Sequence, residues 1–325
     1  MTELVVSDAI AQRSYVPLAI VSRSGADESV HFGVAVAFDA AGAVAFSAGD
    51  PSLHIYPRSS NKPMQADAML ALGVELDDRQ LALACASHAG TPTHLAVVES
   101  TLASVGLDVS ALENTPAWPL SQSAASGAIA AGASESSLMQ NCSGKHAAML
   151  ATCVHNGWPT DGYCDLDHPL QVAVTAHLDE LVGGTSHIGI DGCGAPAHMM
   201  TLAGLATGFG TLARSGGRVA QAMSGHPELV GGFGRDVTRL MQLVPGLVAK
   251  DGADGVFAAA LPDGRCAAIK LSDGASRASG VVIAATLRAI GVEIDPSELG
   301  APIEGHGQPV GAVRPADVFG VTDGV

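Results

Sequence analysis

Aromatic side chains are scarce: Phe, Tyr and Trp together make up 4% of the 325 residues. A core must therefore be built from Ala, Val, Leu and Met, and the 47% hydrophobic content supplies it. Charge is scarce too, at 15% of residues, which separates this chain from disordered, highly charged sequences. Positive charge is the scarcer sign, with 16 Lys and Arg against 32 Asp and Glu and a net charge of −16. Such a surface repels phosphate backbones and anionic lipid, so neither nucleic acid nor a membrane surface is an expected partner. Long apolar runs are missing as well, and no stretch reaches the roughly 18 uninterrupted apolar residues of a membrane span. The opening MTELVVSDAIAQRS has an early acid, no basic start and no long apolar centre. No secretory leader is expected from it, and a cytoplasmic address is.

CxxC pairs are absent, and the six cysteines (Cys85, Cys142, Cys153, Cys164, Cys193 and Cys266) are scattered. In a reducing compartment they read as core fillers or metal ligands rather than disulfides. Lysine is the rarest charged residue, with four (Lys62, Lys145, Lys250 and Lys270) against twelve arginines. Three of these lysines stand among apolar or small residues. A lysine can lose its proton and act as a base, and an arginine cannot.

Strand patterns open the chain, with VPLAIVSRSG followed by two strands around a turn near Ala40 to Gly42. After Pro57 the apolar spacing becomes helical. KPMQADAMLALGV has Pro63 suited to a first turn, DDRQLALACASH has Asp77 as a cap, and TPTHLAVVESTLASVG has Thr91 as a cap before Pro92. The middle is rich in Gly, Ala and Ser, with a helix running from Lys145. SHIGIDGCGAPAHMM reads as a short strand entering a glycine-lined turn, and GHPELVGGFGRDVTRLMQ as a loop and a helix. GVFAAALPDGRCAAIKLSDG reads as a hairpin around its PDG, and ASRASGVVIAATLRAIG as a closing helix. The tail after about residue 300 reads as irregular. These elements predict an α/β protein of the α+β kind in a single domain over 1–325. One antiparallel sheet from both chain ends is covered by helices, with a helical middle portion.

Chemistry concentrates in four places. Ser59 and Lys62 lie three residues apart at a helix start, on one face, where a neutral amine could serve as base for the hydroxyl. Neutrality near pH 7 requires a fall of about 3 pKa units, or about 4 kcal/mol. The alternative is a helix cap followed by a solvated lysine. Ser87 and His88 follow an apolar helix and in isolation read as loop residues. Lys270, in AAIKLSDG, resembles the strand lysine of serine penicillin-recognising enzymes, or else guards an edge strand. Cys142 and Lys145, with Asp191 and Cys193 on a glycine turn, could supply a tetrahedral zinc site, for which His146 and Asp191 are further donors. The alternative there is a pair of buried structural thiols.

Taken in order, RSSNKPMQ, ASHAGTPTH, NCSGKHAAML, IDGCGAP, HPELVGGFGRDVTRLM, KDGADGVFAAALPDG and AIKLSDGASRA resemble the asparaginase II family. The resemblance implies a fold like serine β-lactamases and glutaminases and an L-asparagine amidohydrolase working through serine–lysine tandems. By motif, the tandems would be Ser59 with Lys62 and Ser87 with Lys270. It implies zinc held by Cys142, Lys145 and Cys193, not necessarily essential for catalysis. Substrate contacts would come from Arg58, His88, Asn141, Asp191 and Gly192, and the chain is expected to form a homodimer. Two other readings use the same residues: a penicillin-binding or β-lactamase-like serine hydrolase, and a non-catalytic zinc-binding protein.

Overall fold

The computed structural model of the chain describes residues 14–320. Apart from Ser14, the residues behind the expectation about a leader lie outside the described residues.

Strands β1 (Val16–Arg23) and β2 (Ala26–Phe38) form a hairpin, and β3 (Val44–Ala48) folds back on β2. The turn near Ala40 is closed by Asp39, whose Oδ1 accepts from the backbone N–H groups of Ala41 and Ala43 at 2.9 Å each. A short β4 (His54–Ile55) leads through a 3₁₀ turn, Arg58–Asn61, into α1 (Lys62–Ala71). Five helices follow: α2 (Asp78–Ala84), α3 (Pro92–Ser104), α4 (Gln122–Ala130), α5 (Ser143–Asn156) and α6 (Pro169–Val182). Then come β5 (His187–Ile190), β6 (Pro196–Thr201), α7 (Leu202–Ser215), α8 (Arg218–Gly225), α9 (Pro227–Val230) and α10 (Asp236–Leu243). The chain returns to the sheet with β7 (Val248–Gly252), β8 (Val256–Ala260) and β9 (Cys266–Leu271), crosses it as α11 (Ser279–Ala289), and ends in β10 (Ile303–Gly305), β11 (Gln308–Gly311) and β12 (Val313–Pro315).

The main sheet runs β12-β1-β2-β9-β8-β7, with β3 added to β2, and its pairings are antiparallel. Both chain ends supply it, as the patterns predict, and the protein is of the mixed α+β class. Asp77 caps α2 in a reciprocal box with Gln80, at 2.8 and 2.9 Å. Thr91 stands at the N-cap of α3 and its hydroxyl pairs with His94 Nδ1 at 2.6 Å.

Three features depart from the sequence patterns. The tail after residue 300 is not irregular: β10 and β11 form a hairpin, and β12 closes one edge of the main sheet with Val313 opposite Val21. Strands of three or four residues are too short to show a period-2 signal. Lys270 does not guard an edge, because β9 lies between β2 and β8. The edge opposite β12 is β7, whose VAKDG shows no strand pattern in sequence because its two last residues read locally as turn formers.

Alanine-rich packing brings the elements close. The first eleven residues of α5, Ser143 to Cys153, are all buried. A Cβ on Gly144 would fall 2.5 Å from the Leu83 carbonyl oxygen, so glycine alone lets α5 approach α2 this closely. That approach sets the start of α5, with Cys142 and Lys145, beside the end of α2 and Ser87.

Candidate active site

The 3₁₀ turn is a strained, pinned element. Arg58 has φ +52°, a left-handed conformation that non-glycine residues seldom adopt, and Asp254 in the β7–β8 turn has φ +58°. The two are joined by an ion pair, and Arg58 Nε also donates to Asp191 Oδ1 at 2.8 Å. Backbone strain of this kind persists only where neighbours hold it. Ser60 completes the anchorage: its hydroxyl donates to the Lys250 carbonyl at 3.2 Å, tying the turn to β7.

Ser59 is half-buried in this turn, and no hydrogen bond of its hydroxyl is found among the described residues. Lys62, three residues on, is 1% exposed. Its amine points inward, donating to Ala86 O at 2.5 Å, Ser87 Oγ at 3.3 Å and Cys142 Sγ at 3.2 Å. The structure thus joins Lys62 to Ser87 rather than to Ser59 by a direct hydrogen bond. Ser87 is itself buried, and its carbonyl is gripped by Arg235.

Lys270 does not meet Ser87. It is half-buried beside Asp254, donating to the carbonyls of Asp254 and, at 2.9 Å, Leu271. Burial draws its pKa down, against the pull of Asp254 and Asp273. The second amine at the core of the site is Lys250 on β7, fully closed to solvent. It donates to Asp251 O at 2.5 Å and Asp251 Oδ1 at 2.6 Å. Asp251 Oδ2 in turn takes Arg235, whose other nitrogen holds Ser87. Burial brings the Lys250 amine down to about 8, with Asp251 opposing and Lys62 and Arg235 adding to the fall. Asp251, although burial resists its charge, is kept ionised by Lys250 and Arg235. Sequence reasoning passed over Lys250, Asp251 and Arg235. The clue was a lysine placed directly after the apolar Leu247, Val248 and Ala249.

The thiols do converge. Cys142 and Cys193 are buried in one cluster with Ala195, Cys164 packs on it, and Lys145 Nζ lies 3.5 Å from Cys193 Sγ. A hydrogen bond from Cys193 holds Cys142 well below the usual thiol range against burial, helped by Lys62 and Lys145. The same shared proton and burial raise Cys193. Burial opposes the charge of Lys145, but Cys193 and Cys142 outweigh it and hold the amine up to about 12. Among the described residues no group of three or more His, Cys, Asp and Glu side chains is placed to bind a metal. The donors that do meet are two sulfurs and an amine. Their chemistry fits a zinc ion that would displace the shared thiol proton and a lysine proton. His146 is engaged otherwise, its Nδ1 2.8 Å from Tyr163 Oη and 3.8 Å from Cys164 Sγ.

The other residues assigned to substrate fall into two groups. Asp191 faces the site, below its usual pKa although burial works against it, because Lys145, the Gly192 N–H and Arg58 favour its charge. Gly192, on the same exposed turn, donates its N–H to Asp191 Oδ1 at 2.8 Å. Asn141 is half-buried, with Oδ1 3.2 Å from Cys142 Sγ. His88, by contrast, is wholly internal: Nδ1 accepts from the Gly90 N–H at 3.1 Å, so Nε2 carries the hydrogen toward Ser143 Oγ at 2.8 Å. Burial, with His94 adding to it, keeps that ring neutral. It braces the loop after α2 against the start of α5.

Buried amines, a hydroxyl in hydrogen-bond contact with one of them, and an Arg–Asp pair at the rim together suit acyl transfer on a small zwitterion. A family model described as L-asparaginase II matches residues 19–315 of the chain. No curated protein matches it.

Proposed function

The chain belongs to the L-asparaginase II family, and on that premise we propose that it hydrolyses the side-chain amide of L-asparagine to L-aspartate and ammonia through a serine–lysine system. The observation that carries the proposal is the Lys62 amine, closed to solvent, one turn from Ser59 and 3.3 Å from Ser87 Oγ.

Ser59 is the attacking hydroxyl in this scheme. Of the two serines it is the more open to solvent, and it lies in the Arg58–Asn61 turn that leads into α1, where backbone N–H groups at the helix start point toward a developing oxyanion. In its neutral form, with two hydrogens and one lone pair, Lys62 accepts the serine proton as Ser59 Oγ bonds to the amide carbon. The proton then passes to the amide nitrogen by way of the Ser87 hydroxyl, the C–N bond breaks and ammonia leaves. Water adds to the resulting aspartyl ester with Lys62 again as base, and Ser59 is released. In the sequence-based assignment Lys270 was the second lysine; Lys250 takes that place here, because burial and a pKa near 8 suit it to weaken proton binding nearby. The substrate's α-ammonium and α-carboxylate would replace the Arg58–Asp191 ion pair by two pairs of their own, with Asp191 receiving the first and Arg58 the second. Zinc, where bound, would be held by Cys142, Lys145 and Cys193, and would neutralise thiolate charge at the floor of the site. No proton transfer above depends on it.

The decisive measurement is ammonia release from L-asparagine and L-glutamine, with and without a chelator. We expect release from asparagine, retained in part after zinc is removed. Metal content without ammonia release would favour a zinc-binding protein instead. One observation favours a second reading: Lys250-Asp251-Gly252 on the edge strand adjoins Ser59-x-x-Lys62, an arrangement shared with penicillin-recognising serine enzymes. Turnover of a chromogenic β-lactam in place of asparagine would support that reading. A homodimer remains part of the proposal, to be read by sedimentation velocity. Phe233 and Ile190, at 98% and 83% exposure, are apolar groups a second copy could cover. Among the described residues no helix is long and apolar enough to cross a membrane.

A further inference from the structure

Two buried polar atoms beside Lys62 accept no hydrogen bond from the protein: Gln65 Oε1 and His198 Nδ1. Their residues are 2% and 0% exposed. Gln65 lies on α1 one turn beyond Lys62, His198 lies on β6, and both line one small cavity with Lys62, Lys145, Arg58 and Asp191. Its free volume is ≈ 10 Å³, room for about a single heavy atom.

The hydrogen-bond network fixes what His198 offers. Thr175 Oγ1 lies 2.7 Å from the Gln171 carbonyl and 2.8 Å from His198 Nε2. A carbonyl can only accept, so the one hydroxyl hydrogen goes to Gln171. Nε2 must then carry a hydrogen and donate to Thr175. Burial pushes the His198 ring down to about 4, so it is neutral near pH 7 and Nδ1 presents a bare lone pair. Gln65 Oε1 is likewise an acceptor. Lys62 serves neither of them, since its amine is engaged with Ala86 O, Ser87 Oγ and Cys142 Sγ.

A cavity of one-atom size with two unpaired acceptors calls for a group with two donors. We propose that Gln65 Oε1 and His198 Nδ1 form the subsite for the leaving amide nitrogen, each taking one N–H of the substrate's –NH₂ group. This rests on the amidohydrolase reading and adds its selectivity. A carboxylate would set acceptors against acceptors there, so the pair admits the amide and repels the acid product. An ester oxygen would bring no donor and gain nothing from the pair.

The test compares L-asparagine with L-aspartate β-methyl ester, which shares every other group, on wild type, Gln65→Leu and His198→Leu. Each variant should lose about 10- to 100-fold in kcat/KM for the amide, the usual cost of a lost buried hydrogen bond. The ester should stay within about threefold on the same sample, which corrects for any misfolded fraction, and inhibition by aspartate should strengthen. If either leucine variant precipitates, Gln65→Met and His198→Met carry the same comparison. Parallel loss on amide and ester overturns the subsite while leaving the amidohydrolase intact. Absence of ammonia from asparagine with wild type overturns the amidohydrolase itself.

Discussion

Lys62→Met should lower kcat for asparagine hydrolysis by about 10²- to 10⁴-fold, the range that a positioned general base supplies. Methionine nearly matches the lysine stem in length and is apolar, so the buried site at 1% exposure remains filled. What disappears is the proton acceptor together with the hydrogen-bond contacts to Ala86 O, Ser87 Oγ and Cys142 Sγ. Leaving the Ala86 carbonyl unpaired should cost about 1–3 kcal/mol of stability, visible as a lower Tm. Steady-state ammonia release, measured below the variant's melting transition, reads the catalytic loss separately. Activity within threefold of wild type would remove Lys62 from the chemistry.

The second large effect separates the two hydroxyls. Ser59→Ala should abolish the acyl-enzyme and reduce turnover on the order of 10⁴-fold or more, leaving only binding and oxyanion contacts. Ser87→Ala should slow turnover while an aspartyl adduct still forms at Ser59, because only the proton route through the Ser87 hydroxyl is lost. Rapid quench and peptide mass spectrometry locate the adduct. The direct Lys62–Ser87 hydrogen bond makes this a demanding test. An adduct on Ser87 in the Ser59→Ala protein would reverse the roles, with Lys62 then acting on the hydroxyl it already touches.

These experiments depend on placements that were legible to different degrees. The β2–β3 and β8–β9 hairpins and helices α1, α2, α3 and α11 could be read along the chain, because their turns, caps and apolar periods are local. β7 could not. A five-residue strand ending in Asp251 and Gly252 shows too little alternation, and its Lys250 looks like any lysine before a turn. The tail failed in the same way, since β12 becomes a strand only through its pairing with β1. The unpaired acceptors Gln65 and His198 are ordinary residues within a helix and a strand, and nothing nearby in sequence marks them.

The sequence by itself determined which groups are available: a Ser-x-x-Lys start to a helix, a second serine after an apolar helix, thiols on two glycine-flanked segments, and too little positive charge to bind polyanions. Local spacing fixes such things, because it decides what one element can present. The tertiary structure alone decided which lysine meets which serine. Long side chains take whatever partners the packing brings within reach, and here the approach of α5 to α2 at Gly144 and the docking of β7 against the Arg58–Asn61 turn put Lys62 and Lys250 in the interior and left Lys270 behind Asp254.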